Sequence, residues 1–327
     1  MDKYTSKGMT GVSGPVLAEM LNPLEPADFF ARYWDCTPFY MSGEAGRFAK
    51  VMTNQKFCEA LFEAKLSDRK LNYLQKSIGN RKESLDFFIR KKATWTEALS
   101  MEQLARELHR GTLIYNAIQK AVPSAKSFCR TIFPDFGCQM NINAYFSAGP
   151  EASAFDAHFD PQDVFILQIE GEKEWRLWER DRVTNPIAGF PELKSVAPPE
   201  LPADETVLMT TGDLLYVPRG MWHWPRSLDD RPSLHLTLTL VMPKPSDILH
   251  WLTQTFSEDP TFRSSLPFSK HQPSMPVDDE LLEKAIAFLS QKLASPDAKA
   301  LATAYMSFQA MQSVMQARDS ADELSET

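Results

Sequence analysis

The sequence predicts a mainly β fold with α-helices at both ends, organised around a double-stranded β-helix (a jelly roll). From about Cys138 onward, apolar and polar side chains alternate with the period of two that is typical of strands. Turn residues separate these strands, and no helical segment intervenes before Pro243, which favours an antiparallel barrel or sandwich. On either side of this region, apolar residues recur at helical intervals. We therefore expect a β core with an N-terminal helical elaboration and C-terminal helices.

Helices dominate the predicted N-terminal part of the chain. Residues 1–23 are expected to be a flexible start, and Pro26 then opens a stretch whose aromatic residues have helical spacing. Residues 54–66 and 100–121 also predict helices, although Gly111 interrupts the second pattern. A short strand is expected around the segment WDCTPFYM. With 327 residues, the chain is long enough for one large domain with an appendage, or for two domains.

Successive strands are predicted in the central part of the chain. In the first of them, Met140, Ile142 and Ala144 alternate with polar neighbours. The segment 170–172, Glu-Gly-Glu, joins two later strands and is typical of a hairpin. A proline-rich loop is expected at 186–204. The remaining strands are predicted at 163–169, 173–178, 206–209, 214–217 and 234–242.

Two amphipathic helices are predicted near the C-terminus, at about 278–294 and 297–316. Each has one apolar stripe that must be buried, either on the barrel or against a second copy of the chain. We therefore expect a central domain over 24–245 and a helical, dimerisation-like region over 246–320. The stripes consist of Leu282, Ile286, Leu289 and Leu293 in the first helix, and of Leu301, Tyr305, Phe308 and Met315 in the second, which also carries Met306 and Met311.

Composition excludes several classes of protein. Apolar residues make up 43% of the chain, so a substantial core can form and global disorder is excluded. The net charge of -8 and the pI of about 5.4 argue against a protein that wraps nucleic acid through its overall charge. The segment 65–92 is locally basic. We interpret it as a solvated helical surface, with a docking face for an acidic partner as the alternative.

The cysteines and the N-terminus bear on the cellular compartment. The four cysteines include no Cys-x-x-Cys pair and are interpreted as reduced thiols, not as a disulfide framework or a zinc site. The N-terminal residues lack the apolar region of a secretory signal, and no apolar run approaches the roughly 18 residues of a membrane span. We expect a cytoplasmic protein that does not act in the membrane.

His158, Asp160 and His223 form a candidate metal site. The first two stand as His-x-Asp on a strand-like segment, so their side chains point to the same face. His223 follows the turn in GDLLYVPRGMW and can complete the set from a neighbouring strand. Two imidazoles and one carboxylate are the ligand set of non-haem Fe(II) sites that keep positions open for oxygen chemistry. A lone His-x-Asp is by default a surface turn, but the two motifs in this order favour a metal site.

Lys173, Asn143 and Tyr145 form a second candidate group. An Fe(II) oxygenase needs electrons that iron alone does not supply. A common source is 2-oxoglutarate, whose distal carboxylate needs a buried cation and hydrogen-bond donors. Lys173 shares a strand face with Trp175 and Leu177 and can point inward, although a surface lysine of a hairpin is an equally good interpretation of the pattern. Asn143 and Tyr145 share one face of the preceding strand and offer an amide and a phenol to the same cosubstrate.

His235 is a rival to His223 as the third ligand. In the segment PSLHLTLTL the leucines alternate with polar residues, so His235 and its polar neighbours can line the barrel interior. We favour His223 because the turn at 218–220 delivers it to the start of a strand. His235 then remains either a rival ligand, a supporting group beside the ligands, or a residue of the substrate pocket. Three other histidines are expected to be structural or exposed: His109, His250 and His271.

Four segments, in this order, resemble the JmjC-type ribosomal oxygenase family of the cupin superfamily: NPLEPADFFARYWDCTPFYM, NINAYFSAG, HFDPQDVFILQIEGEKEWRLW and GDLLYVPRGMWHWP. The resemblance covers residues 20–245 and implies a JmjC jelly roll with the activity of an Fe(II)- and 2-oxoglutarate-dependent protein hydroxylase. Carried over residue by residue, the resemblance implies that the iron ligands are His158, Asp160 and His223. It also implies that Lys173 pairs with the distal carboxylate of 2-oxoglutarate and that Asn143 and Tyr145 are the Asn-x-Tyr pair of the same pocket.

The resemblance also implies a reaction and partners. O2 and 2-oxoglutarate would be consumed, and a hydroxyl would be installed on a protein or peptide side chain, in this family an arginine or histidine of a ribosomal protein. Members usually carry a helical dimerisation region and a winged-helix domain, and the two predicted C-terminal helices match only the first, so a homodimer is expected. No direct nucleic-acid binding is expected. The alternatives are tailoring of a small peptide or metabolite, a metal-dependent cupin enzyme that uses no 2-oxoglutarate, and a scaffold protein with a lapsed site.

Overall fold

A computed structural model describes residues 15–65, 70–75, 81–152, 155–187, 196–264 and 279–307 of the chain. The chain divides into two compact units, Met1–Val241 and Met242–Thr327. The first unit contains the described strands and the candidate site. The second unit is helical over its described residues.

Two antiparallel sheets form the centre of the first unit. The larger has the strand order β1-β8-β5-β10-β4-β3-β2 and the smaller the order β7-β6-β9. This arrangement confirms the predicted mainly β jelly roll. The strands are β1 Phe39–Met41, β2 Leu71–Leu74, β3 Thr112–Tyr115, β4 Gln139–Ala148, β5 Asp163–Glu170, β6 Lys173–Trp178, β7 Glu205–Met209, β8 Leu214–Val217, β9 Trp222–Arg226 and β10 Pro232–Val241.

Apolar residues of both sheets form the core between them. Val164 and Ile166 of β5 belong to the same buried cluster as Trp175 and Leu177 of β6. On β10, by contrast, the leucines of the alternating segment are all buried on one face, and His235 and its polar neighbours occupy the other. Burying each such leucine contributes roughly 1.5–3 kcal/mol. The face with His235 is buried as well and contacts Trp175 of the smaller sheet.

Helices surround the sheets and form the second unit. Ser100 begins α5 with a capping box, in which its hydroxyl accepts from the Gln103 backbone N–H while the Gln103 side chain accepts from the Ser100 N–H. The helices of the first unit are α1 Pro15–Leu21, α2 Pro26–Arg32, α3 Asn54–Glu63, α4 Arg81–Lys92, α5 Met101–Glu107 and α6 Pro123–Phe136. Those of the second unit are α7 Pro245–Phe256, α8 Asp279–Leu293 and α9 at 296–307. Among the described residues, none of these helices has the length and apolarity needed to cross a bilayer.

The prediction of a single helix over residues 100–121 is wrong. Helix α5 ends at Glu107, and β3 follows after Gly111. A side chain at position 111 would place its Cβ only 2.5 Å from the ring of Tyr73, so this position requires glycine and ends the helical segment. The next residues then pair with β2 and β4 because their four side chains are buried in the larger sheet.

Two further expectations differ from the structure. The segment 170–172 does not form a hairpin, since β5 lies in the larger sheet and β6 in the smaller one. Gly171 has a φ of +68°, and a Cβ there would overlap the Pro232 carbonyl oxygen, so the chain uses this glycine to cross between the sheets. Residues 15–21 of the predicted flexible start form α1, where Leu17 and Leu21 are fully buried.

The basic segment 65–92 is partly structural. The Lys92 ammonium donates to the Phe62 carbonyl at 2.6 Å, and Lys91 pairs with Glu107 at 2.9 Å. Several predicted features lie outside the described residues. These are residues 1–14, Arg69, Lys76, His271, the linker prolines Pro273 and Pro276, and Phe308, Met311 and Met315 of the last helix.

Candidate metal and cosubstrate site

His158 and His223 are joined through their backbones. The His158 N–H donates to the His223 carbonyl at 3.0 Å, and the His223 N–H donates to the His158 carbonyl at 2.7 Å. This isolated bridge brings together two residues that are far apart in the sequence. The adjacent Gly220 N–H donates to the Asp160 carbonyl at 2.8 Å, so the segment that carries His158 and Asp160 lies along the segment that carries His223.

Both histidine rings are held in one tautomer by backbone carbonyls. Nδ1 of His158 lies 2.8 Å from the Asp156 oxygen, and Nδ1 of His223 lies 3.0 Å from the Met221 oxygen. A carbonyl can only accept a hydrogen bond, so each Nδ1 must carry the proton. In the neutral ring, Nε2 then has the lone pair through which histidine binds a metal.

The three predicted ligands meet at one point. One ligand atom from each of His158, Asp160 and His223 lies within 4.8 Å of the other two, and the Asp160 Oδ2 is 3.7 Å from the His223 Nε2. Burial and the neighbouring His158 lower the pKa of His223 to about 4, although Asp160 opposes this shift, so the ring is neutral and able to coordinate. The cluster fits a divalent ion that takes two imidazoles and one carboxylate, as non-haem Fe(II) does.

A cavity of about 150 Å³ extends from these three residues, and Lys173 lies in its wall. Lys173 is buried on the same face as Trp175 and Leu177, which favours the inward interpretation over that of a surface lysine. Its ammonium donates to the hydroxyls of Ser147 and, at 3.1 Å, of Ser227. Burial lowers the pKa of Lys173 to about 7, and in the described part of the chain no carboxylate forms an ion pair with it. A buried ammonium without an anion fits a ligand carboxylate.

The structure separates the roles of Asn143 and Tyr145. Tyr145 lines the cavity, and burial raises the pKa of its hydroxyl to about 12, with Asp160 contributing. Asn143 does not line the cavity. Its Oδ1 accepts the backbone N–H of Ala117 at 3.0 Å, and its side chain also hydrogen bonds with Tyr145. Asn143 is therefore placed behind Tyr145.

His235 lies in the same cavity but outside the cluster of ligand atoms that the described residues form. Its ring stacks on Tyr145, with centroids 4.9 Å apart and planes inclined by 4°. The ring of Trp175 contacts it edge-on at 5.4 Å. The arrangement agrees with the choice of His223 over His235 as the third member of the cluster. His109 and His250 are exposed, as expected.

Sequence reasoning missed the two serines that contact Lys173. Ser147 continues the alternation of Asn143 and Tyr145 on β4, so the same strand-face argument extended by one step would have included it. Ser227 follows the end of β9, where no periodic pattern indicates a direction for its side chain.

Comparisons with known proteins agree with this geometry. A family model described as the JmjC domain matches residues 118–248. The Bacillus subtilis protein YxbC, described as uncharacterized, is 27% identical over 86% of this chain and 89% of its own length. Ribosomal oxygenase 1 of the rat is 27% identical over 67% of this chain. A histidyl-hydroxylase and lysine-specific demethylase, NO66 of Dictyostelium discoideum, is 38% identical over 34% of it.

The solved structure of Escherichia coli ycfD has the same fold, with a TM-score of 0.58 and 16% identity over 84% of this chain and 69% of that one. Another structure of that protein, described as a ribosomal oxygenase in complex with cobalt and 2-oxoglutarate, has a TM-score of 0.56 at 15% identity. The chain spans only about a third of rat ribosomal oxygenase 1 (36%) and a fifth of the Dictyostelium protein (21%). Together with the order of the motifs, these matches identify a JmjC domain in the chain and agree with its resemblance to the JmjC-type ribosomal oxygenases.

Proposed function

We propose that this protein is an Fe(II)- and 2-oxoglutarate-dependent oxygenase that hydroxylates a side chain of a protein or peptide. One observation carries the proposal. The His158, Asp160 and His223 cluster and the buried ammonium of Lys173, which has no carboxylate partner among the described residues, lie in the wall of the same cavity. That combination suits a metal ion and a dicarboxylate that reaches from the metal to the lysine.

In this proposal His158, Asp160 and His223 hold the iron, and Lys173, Ser147 and Ser227 hold the distal carboxylate of 2-oxoglutarate. When bound, iron and 2-oxoglutarate supply the activation of O2 that turns a substrate C–H bond into C–OH, with release of succinate and CO2. The protein residues fix the orientation of the cosubstrate. The apolar faces of Trp175 and Tyr145 keep bulk water away from it.

The relatives support the choice of substrate. Rat ribosomal oxygenase 1 and E. coli ycfD are described as ribosomal oxygenases, and NO66 as a histidyl-hydroxylase. We propose an arginine or histidine side chain of a ribosomal protein as the substrate, with a small peptide or metabolite as the second candidate. A metal-dependent cupin enzyme without 2-oxoglutarate would have no use for a buried Lys173, which is the observation against that alternative.

Succinate release tests the proposed reaction. The purified protein is incubated with Fe(II), 2-oxoglutarate and ascorbate, with and without a ribosomal protein fraction, beside His223→Ala as the matched inactive variant. Succinate formed by the wild-type protein alone supports the proposal. If no succinate forms with or without the ribosomal fraction although 2-oxoglutarate binds, the substrate is to be sought among other peptides. If 2-oxoglutarate neither binds nor is turned over, the proposal is refuted.

Assembly and location are further parts of the proposal. Exposed apolar side chains remain on α8, at Ile286, Leu289 and Leu293, and a twofold dimer would cover them. The four cysteines are unpaired thiols, and Cys58 and Cys138 are buried, as is typical of a reducing compartment such as the cytoplasm. Sedimentation of the full chain at micromolar concentration tests the dimer, which a monodisperse monomer would exclude.

A further inference from the structure

His235 is a buried polar side chain to which the proposed reaction assigns no function. It is 3% exposed, and its Nδ1 is sealed from solvent without a hydrogen-bond partner among the described residues. An unsatisfied buried polar group destabilises the fold, so a fold that retains one at a cavity wall points to a ligand that satisfies it.

The neighbours of His235 define what that ligand offers. Its ring is held between the face of Tyr145 and the edge of Trp175, so its orientation is fixed by two aromatic contacts. The indole N–H of Trp175 is a second buried donor without a described partner in the same wall. Unpaired donors beside the Lys173 ammonium favour an anionic, oxygen-bearing ligand.

His235 also stays neutral in this position. Burial, and secondarily the charge of Lys173, lower the pKa of His235 well below its ordinary value. A neutral imidazole has one N–H donor and one acceptor nitrogen, and it can donate to an anion without adding a second buried charge next to Lys173. The metal cluster of the described residues is complete without His235, so its nitrogens are available for this role.

We propose that His235 is a further binding residue of the cavity, and that its ring N–H donates to a carboxylate oxygen of the cosubstrate between the metal ligands and Lys173. This inference rests on the proposed function. It assigns recognition of the dicarboxylate to two unlike donors. The ammonium of Lys173 supplies charge, and the imidazole of His235 supplies direction because its ring packs against Tyr145 and Trp175.

Calorimetric binding of 2-oxoglutarate to the full-length protein loaded with Co(II) in place of iron tests the inference without turnover. His235→Phe keeps an aromatic ring between Tyr145 and Trp175 but has no N–H, whereas His235→Asn restores an N–H donor. His109→Phe, a change of an exposed histidine outside the cavity, is the matched control. If His235→Phe does not fold, His235→Leu takes its place.

The expected result is that His235→Phe raises the Kd for 2-oxoglutarate about ten- to a hundredfold. Co(II) affinity stays at the wild-type level, and His235→Asn recovers part of the loss. The inference would be overturned if His235→Phe bound 2-oxoglutarate with wild-type affinity, or if His235→Phe and His235→Asn lost the same amount of that affinity. It would also be overturned if His235→Phe no longer bound Co(II). If the wild-type protein binds no 2-oxoglutarate, the proposed function and this inference are overturned together. If the wild-type protein and His235→Phe bind 2-oxoglutarate equally well, the inference alone is overturned.

Discussion

Asp35 and Arg219 form an ion pair although 184 positions separate them in the sequence, with Asp35 Oδ2 3.1 Å from Arg219 Nη2. Arg182 contacts the same carboxylate at 2.5 Å and donates from its Nε to the Arg219 carbonyl at 2.9 Å. Arg219 precedes Gly220, whose N–H donates to Asp160. The loop before β1 thus braces the turn that lies between the candidate ligands Asp160 and His223.

This brace predicts a linked loss of stability and metal affinity. Asp35→Asn removes the negative charge that both arginines share. Because Asp35 is 38% exposed, the ion pairs are partly screened, and we expect a decrease of only about 1 kcal/mol in the free energy of unfolding. Co(II) affinity should fall as the turn loosens. Lys50→Gln, which removes the exposed pair with Glu19, is the control, and equal metal affinities in both variants would contradict the brace.

The candidate ligands give the sharpest prediction. His158→Ala, Asp160→Ala and His223→Ala should each abolish metal-dependent succinate formation, because two protein ligands remain where three are needed. Circular dichroism should show a retained fold, and titration with Co(II) should show lost binding. The opposite result would show that His235 is the third ligand instead. In that case His223→Ala would retain activity, and His235→Ala would lose both activity and Co(II) binding.

Lys173→Met tests the carboxylate site. Methionine is similar in length and fills the buried position without a charge, so we expect the fold to survive. The KM for 2-oxoglutarate should rise about ten- to a hundredfold, the magnitude of a charge-assisted hydrogen bond, while Co(II) affinity stays unchanged. Lys91→Met removes a half-exposed lysine that pairs with Glu107 and is the matched control. An unchanged KM in Lys173→Met would remove Lys173 from the site.

Binding of 2-oxoglutarate should depend on pH through Lys173. Burial lowers the pKa of Lys173 in the unliganded protein to about 7, so above pH 7 the amine is mostly neutral. A bound carboxylate favours the charged form and raises this pKa, so binding takes up a proton above pH 7 and the affinity falls as the pH rises. Calorimetry at pH 8 in two buffers of different ionisation enthalpy measures the uptake. Lys173→Met should show no such uptake, and equal heats for the wild type in both buffers would contradict the assignment.

Glycine at position 220 should be essential for the site. Its φ is +78°, and a Cβ would overlap the Val183 carbonyl oxygen. Gly220→Ala should therefore cost more stability than backbone strain alone, which is of order 1–3 kcal/mol, and should weaken Co(II) binding. Gly137→Ala, with a φ of +59° and open space around the new Cβ, isolates the strain. Equal unfolding free energies of the two variants would exclude a role for the overlap.

The sequence by itself determined much of the strand pattern and predicted a ligand set. Side chains of a strand point alternately to opposite faces, which is a local property, so neighbours two positions away showed which residues share a face with Lys173 and with His235. The spacing of His158 and Asp160 was informative for the same reason. The pattern alone left open whether Lys173 points inward or to the surface. The turn that precedes His223 then favoured it over His235 as the third ligand.

Only the tertiary structure decided which strands are partners and which groups share the cavity. Strand pairing depends on contacts between distant segments, so the sequence could not show that the chain crosses between sheets at Gly171 or that residues 112–115 leave the helical pattern to join the larger sheet. The positions of Ser227 beside Lys173 and of Asn143 behind Tyr145 likewise follow from packing across strands. Such contacts leave no periodic trace in the sequence, because each joins a single pair of side chains and not a face.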